Sequence, residues 1–209
     1  MHRQPRGLQG QQKLTAILAA ARHTVLSEGL NQAKVSDIAG LAKVSTATVY
    51  AYFPSKVALF QGVVESVTRD VKLRLDAYLY KLDGDPVEAL ARAMLMRLND
   101  PNIRGLFRII AVEGDRFPEI RTTFDTYTRR RAHQVAIELF ERLAREGRFE
   151  AGIAELASRQ LMGMLEHETI ILPLLEGESY RPRSDEEIAV DAAMTLRARF
   201  GSVDVLGRS

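Results

Sequence analysis

Few residues in this chain are spaced for covalent or metal chemistry. The pentapeptide HETII, His167–Ile171, begins like the zinc pattern His-Glu-x-x-His, in which two histidines share one helix face. Ile171 stands where the second histidine must be, so no metal site is expected there. His133 is isolated, and His23 falls on the polar side of its helix. No Gly-x-Ser-x-Gly nucleophile turn and no Walker-type glycine loop occurs, and no spacing picks an acid–base pair out of the carboxylates. The chain has no cysteine, which excludes disulfides and thiolate metal sites and makes a reducing compartment the natural setting. Neither an enzyme nor a cofactor is expected from these residues. The chemistry to look for is binding.

Residues 44–56, VSTATVYAYFPSK, carry the pattern that matters. A short helix normally spends its aromatics on the core, yet only about half of these can face inward together. The elements around the stretch explain the rest. Strand alternation is absent and Ala, Leu, Glu and Arg dominate, so an all-α fold of about nine helices is predicted. The helices are expected at 11–28, 35–42, 46–53, 55–81, 86–98, 101–114, 117–146, 151–176 and 184–200. Asp85 and Pro86 form a start signal for the fifth, and Ser184 with Glu187 a capping box for the last. The second and third helices, short and three or four residues apart, make a helix-turn-helix. Val35, Ile38, Ala39 and Ala42 would meet Val44, Val49 and Phe53, leaving Thr46, Ala47, Thr48, Tyr50, Ala51 and Tyr52 facing out. This is how a recognition helix enters a major groove, its first turn foremost. Ser45 and the small residues after it sit where backbone N–H groups favour phosphate. The tyrosine hydroxyls and Lys56 would reach the DNA backbone.

Charge points the same way. Residues 1–56 hold seven basic and two acidic side chains, +5, which leaves −3 on the remainder of a chain whose formal net charge is +2. A basic segment on a near-neutral chain suggests a polyanionic partner. LTAILAAA near the start has the look of a secretory leader. Leu14, Ile17, Leu18, Ala21 and Val25 instead keep helical periodicity beyond any cleavage site, to a stop at Gly29. No run reaches the roughly 18 apolar residues of a membrane span. No membrane partner and a cytoplasmic location are expected.

Residues 37–60, DIAGLAKVSTATVYAYFPSKVALF, resemble the TetR-type one-component transcriptional regulators. The likeness lies in Ile-Ala, four residues to Val-Ser, then x-x-Thr-x-Tyr-x-x-Phe, one residue, and Ser-Lys. GLFRIIAVEGDRFPEI is similar to the AefR-like subgroup of ligand-binding domains. Three positions depart from the family pattern. Lys43 stands where glycine is usual in the turn, at a cost of about 1 kcal/mol if the backbone is left-handed. Lys34 replaces the usual hydroxyl cap of the second helix, which weakens the cap but offers a phosphate contact. Ala47 replaces another frequent glycine and can read only a thymine methyl group. The resemblance implies a helix-turn-helix domain at 1–56, with DNA contacts from Lys34, Ser45, Thr46, Ala47, Thr48, Tyr50, Ala51, Tyr52 and Lys56.

For residues 57–209 the resemblance implies a ligand-binding and dimerisation domain, joined to the first through the long fourth helix. Met94, Leu98, Phe107, Ile110, Phe124, Tyr127, Met164 and His167 are the bulky, adaptable or lone polar residues expected to line an effector cavity. Leu161, Leu165, Glu168 and Leu172, with Ile188, Ala192 and Leu196, form stripes at helical spacing that are expected to pair two copies as a four-helix bundle. The protein so read is a homodimeric regulator, a repressor by family habit, on a palindromic operator and answering to an unknown small molecule. A DNA-bound structural or adaptor protein without an inducer is the alternative.

Overall fold

The structure, a computed structural model, describes residues 7–79 and 84–202. The described residues form nine helices when each π turn is counted with the helix it continues. They are α1 (Gly7–Glu28), α2 (Val35–Leu41), α3 (Thr46–Tyr52), α4 (Lys56–Leu79), α5 (Pro86–Leu98) and α6 (Pro101–Glu113). Helix α7 runs Pro118–Phe124, widens into a π turn at Asp125–Arg129 and resumes as Arg130–Arg145. Helix α8 repeats that form, with Ala154–Glu166, a π turn at His167–Ile171 and Leu172–Glu176. Helix α9 is Asp185–Phe200. The one extended pairing among the described residues is an isolated bridge between Phe149 and Gly201.

Two compact units divide the chain, the first up to Asp70 with Pro101–Thr128, the second Val71–Asp100 with Arg129–Ser209. This differs from the division at 56/57 expected from sequence, because α6 and the start of α7 belong to the first unit. Helix α1 explains why. It carries an apolar stripe with Ile17, Ala21 and Val25 buried, and both α2 and α6 pack against α1. Helix α6 packs on α1 where Gly105 lets the Leu26 side chain lie against its backbone. Glu113, at the end of α6, accepts the Asn31 backbone N–H at 2.7 Å and so caps the turn after α1.

In the second unit α9 packs against α5 and α8, and α7 against α8. Asp85 caps α5 through the Val87 and Glu88 N–H groups, and its other oxygen meets Arg148 and Arg197. The capping box of α9 forms as predicted, with the Ser184 hydroxyl and the Glu187 carboxylate each accepting the other's backbone N–H. No helix among the described residues is long and apolar enough to cross a membrane.

Candidate nucleic-acid interface

Helix α3 is too short to hold itself together, so its position is set by what grips it. On its inner side Val49 and Phe53 are buried, as are Ile38, Ala39 and Ala42 before the turn, and α3 packs on α2. Phe53 also lies against α4 at Gly62, where an added Cβ would come within 2.6 Å of the ring. A glycine inside a helix costs about 1 kcal/mol relative to alanine. Gly62 bears that cost because only a missing side chain lets α1, α3 and α4 converge. The turn before α3 passes through Lys43 at φ 53°, the one described non-glycine residue in the left-handed region. Val44 and Lys43 N–H groups there close on the Ala39 and Gly40 carbonyls.

Outward, Ser45, Thr46, Ala47, Tyr50 and Ala51 are exposed, with Lys34 and Lys43 flanking them. Ser45 is the N-cap of α3: its Oγ accepts the Thr48 N–H at 3.1 Å and lies 2.9 Å from the Thr48 hydroxyl. These two hydroxyls therefore serve the helix itself. Lys34 makes no side-chain cap for α2, as its replacement of a hydroxyl residue implied.

Two expected DNA contacts are held elsewhere in this structure. The Tyr52 hydroxyl donates to the Gly10 carbonyl at 3.1 Å and ties α3 to α1. The Lys56 ammonium donates to the Asn31 carbonyl at 3.0 Å and to Leu30 at 3.4 Å, across the loop that follows α1. Both side chains are half-buried, and their bonds tie the ends of α3 and α4 to α1 and the loop after it. Sequence spacing placed Tyr52 on the outward arc and Lys56 within reach of the DNA backbone, but could not show that the first turn of α1 and the loop after α1 also lie within reach of them. Two of the seven basic residues of the segment 1–56, Arg3 and Arg6, lie outside the described residues.

Comparison with known proteins matches this arrangement twice. Residues 17–63 match the family model of the tetR family of bacterial regulatory proteins, and residues 87–201, more than half of the chain, match that of the AefR-like transcriptional repressor C-terminal domain. The chain belongs to the TetR family. It is a DNA-binding transcriptional regulator. The nucleoid occlusion factor SlmA of Vibrio vulnificus is 28% identical over 155 residues, 72% of this chain and 78% of that protein. The HTH-type transcriptional regulator EthR of Mycolicibacterium smegmatis is 28% identical over 102 residues, 46% of this chain and 47% of its own length. A solved TetR-family regulator of Mesorhizobium loti superposes with a TM-score of 0.79 at 26% identity, covering 93% of this chain and all of its own.

In this TetR-family chain the residues expected around an effector divide between the two units. In the first, Phe107 and Phe124 make an edge-to-face pair with centroids 4.8 Å apart. Ile110 and Tyr127 are half-buried, Tyr127 within the α7 π turn. Beside it Thr128 is buried, with its hydroxyl 3.4 Å from that of Thr68 on α4. In the second unit Met94 and Leu98 are buried on α5 and Met164 is half-buried on α8. His167 is exposed in the α8 π turn. Buried charge accompanies this group. Burial pulls the Arg97 guanidinium down to about 10 against the opposing field of Glu166. Burial likewise raises the Glu166 carboxyl, opposed by Arg97 and Arg129.

Most of the expected dimer stripe is turned into the protomer. Leu161, Leu165, Ile188, Ala192 and Leu196 are all buried in the chain's own core. Leu172 is half-buried, and Glu168 is held within the chain by the Tyr180 hydroxyl on its carbonyl and by Arg183 near its carboxylate. The most apolar stripe of a helix goes to the nearest apolar partner, here α5, α8 and α9 of the same protomer. What remains exposed on α8 is a second stripe, Leu156, Gly163, Ile171, Leu174 and Leu175, with Met194 on α9. Leu174 and Leu175 are 65% and 75% exposed.

Proposed function

We propose that this regulator is a homodimeric repressor that holds a palindromic operator and releases it when a small apolar or amphipathic molecule binds. Residues 1–56 are its DNA-reading head and residues 57–209 its effector and dimerisation body, acting in the cytoplasm. The observation that carries the reading is the outward arc Thr46, Ala47, Tyr50 and Ala51, backed by the buried Val49 and Phe53. Small residues there bring the helix backbone close to base edges, and Lys34 and Lys43 supply phosphate contacts at its borders.

One head on one half-site binds too weakly for specific control at physiological salt. Two heads spaced by a helical turn of DNA, about 34–36 Å or a multiple of it, supply the remainder. The exposed stripe from Leu156 to Leu175 on α8, with Met194 on α9, is the face we assign to the partner copy. A run of exposed leucines this apolar is a poor surface for a solitary soluble chain. For the effector, Phe107, Phe124 and Tyr127 with the Thr68 and Thr128 hydroxyls give an apolar wall bearing few polar groups, the usual make-up of a small-molecule site. A coupling of roughly 1–3 kcal/mol between effector and operator is enough for control.

The test is selection of genomic DNA fragments by the purified protein, repeated at several salt concentrations. A shared palindrome, with affinity falling steeply as salt rises, supports the proposal. Binding with no shared sequence refutes it. The likeness to a nucleoid occlusion factor favours a second reading, a DNA-bound protein that recruits a partner and answers to no effector. Sites scattered around the chromosome would favour that reading, and sites upstream of a few genes would favour the repressor.

A further inference from the structure

We propose that the recognition helix selects its operator by thymine methyl groups, with Ala47 and Ala51 as the specificity-determining residues. The inference rests on the DNA-binding reading above and adds what the DNA must present. With 3.6 residues per turn, Ala47 and Ala51 stand one above the other on the side of α3 opposite Val49 and Phe53. Thr46 and Tyr50 border them on one flank, and all four are exposed.

The polar groups elsewhere on this element are in use. Ser45 and Thr48 bond each other and the helix N-terminus, the Tyr52 hydroxyl is on Gly10, and the Lys56 ammonium is on Leu30 and Asn31. Residues 46–52 include no Arg, Lys, Asn or Gln. Bidentate recognition of guanine needs Arg or Lys and that of adenine needs Asn or Gln, so α3 can make neither. The hydroxyls of Thr46 and Tyr50 bond donors and acceptors alike and discriminate little. What α3 offers at its crest is methyl groups. In the major groove the matching feature is the C5-methyl of thymine, which also projects far enough to meet so short a side chain.

The experiment replaces single thymines of the recovered operator by deoxyuridine, which removes the methyl group and leaves base pairing intact. At one or two positions per half-site the substitution should weaken binding about fourfold. That figure is the burial of one methyl, about 0.8 kcal/mol, converted at about 1.4 kcal/mol per tenfold. Replacing both half-sites should weaken it about fifteenfold. Where a cytosine put in place of such a thymine weakens binding, 5-methylcytosine should restore part of the loss. Ala47→Gly should bring the thymine-to-deoxyuridine ratio towards one with the salt dependence unchanged, and Ala47→Ser, milder for the helix, should lower the ratio. A tight operator insensitive to deoxyuridine at every thymine overturns this inference alone. So does a guanine whose 7-deaza analogue weakens binding in a manner abolished by Lys43→Ala. No DNA bound at low salt overturns the regulator reading together with it.

Discussion

Replacing Lys56 by methionine separates the two roles open to that residue. The substitution keeps the aliphatic stem and removes the ammonium that spans Leu30 and Asn31. A hydrogen bond from a charged donor contributes about 1.5–3 kcal/mol when buried. Lys56 is half-buried and one of its two bonds is long, so the loss discounted for solvent is about 1–2 kcal/mol. For a chain of this size that lowers the melting temperature by roughly 2–8 °C. The assay pairs thermal denaturation with operator binding across a salt series. If Lys56 positions α3, stability falls and the slope of log affinity against log salt stays as in the parent. If it instead neutralises a phosphate, the slope falls by about 0.9 per protomer, about 1.8 for a dimer. Unchanged melting with a shallower slope would refute the positioning role and return Lys56 to the DNA contacts.

Gly62→Ala should weaken operator binding although alanine favours the helix by about 1 kcal/mol. The new Cβ at 2.6 Å from Phe53 must displace the residue that anchors α3, and overpacking costs about 1–3 kcal/mol; operator affinity measured beside helix content shows which term wins. Lys43→Gly should raise the denaturation midpoint, by about 1 kcal/mol in stability, because the left-handed turn then carries no Cβ. Leu174→Glu should convert dimer to monomer by sedimentation with little change in protomer folding. Leu161→Ala should instead destabilise the protomer by about 2–5 kcal/mol, as expected of a core leucine. In acid, Glu186 is held below the ordinary carboxylate range by its hydrogen bond with Arg92, and Glu187 by the Ser184 N–H and hydroxyl. Their stabilisation is present above the ordinary glutamate value, about 4.5, and fades as pH falls through the lowered values. A double variant Glu186→Gln, Glu187→Gln should therefore show a flatter acid limb in its denaturation profile.

Local signals were legible in the sequence because local physics decides them. The nine helices of the described residues, the Asp85 and Ser184 caps and the buried Val49–Phe53 side of α3 follow from periodicity, capping chemistry and turn residues. These operate within about one helical turn and need no distant partner. The family motif at residues 37–60 is legible for the same reason, since a helix-turn-helix is almost wholly local. Tertiary structure decided what depends on competition among partners far apart in sequence. It gave Tyr52 and Lys56 partners within the chain, because the first turn of α1 and the loop after α1 lie within their hydrogen-bonding reach. It turned the leucine stripe of α8 inward, because α5 and α9 of the same protomer offered apolar area before any second copy could. Periodicity shows that a helix has an apolar face. Only packing shows which neighbour covers it and which face is left for a partner or for DNA.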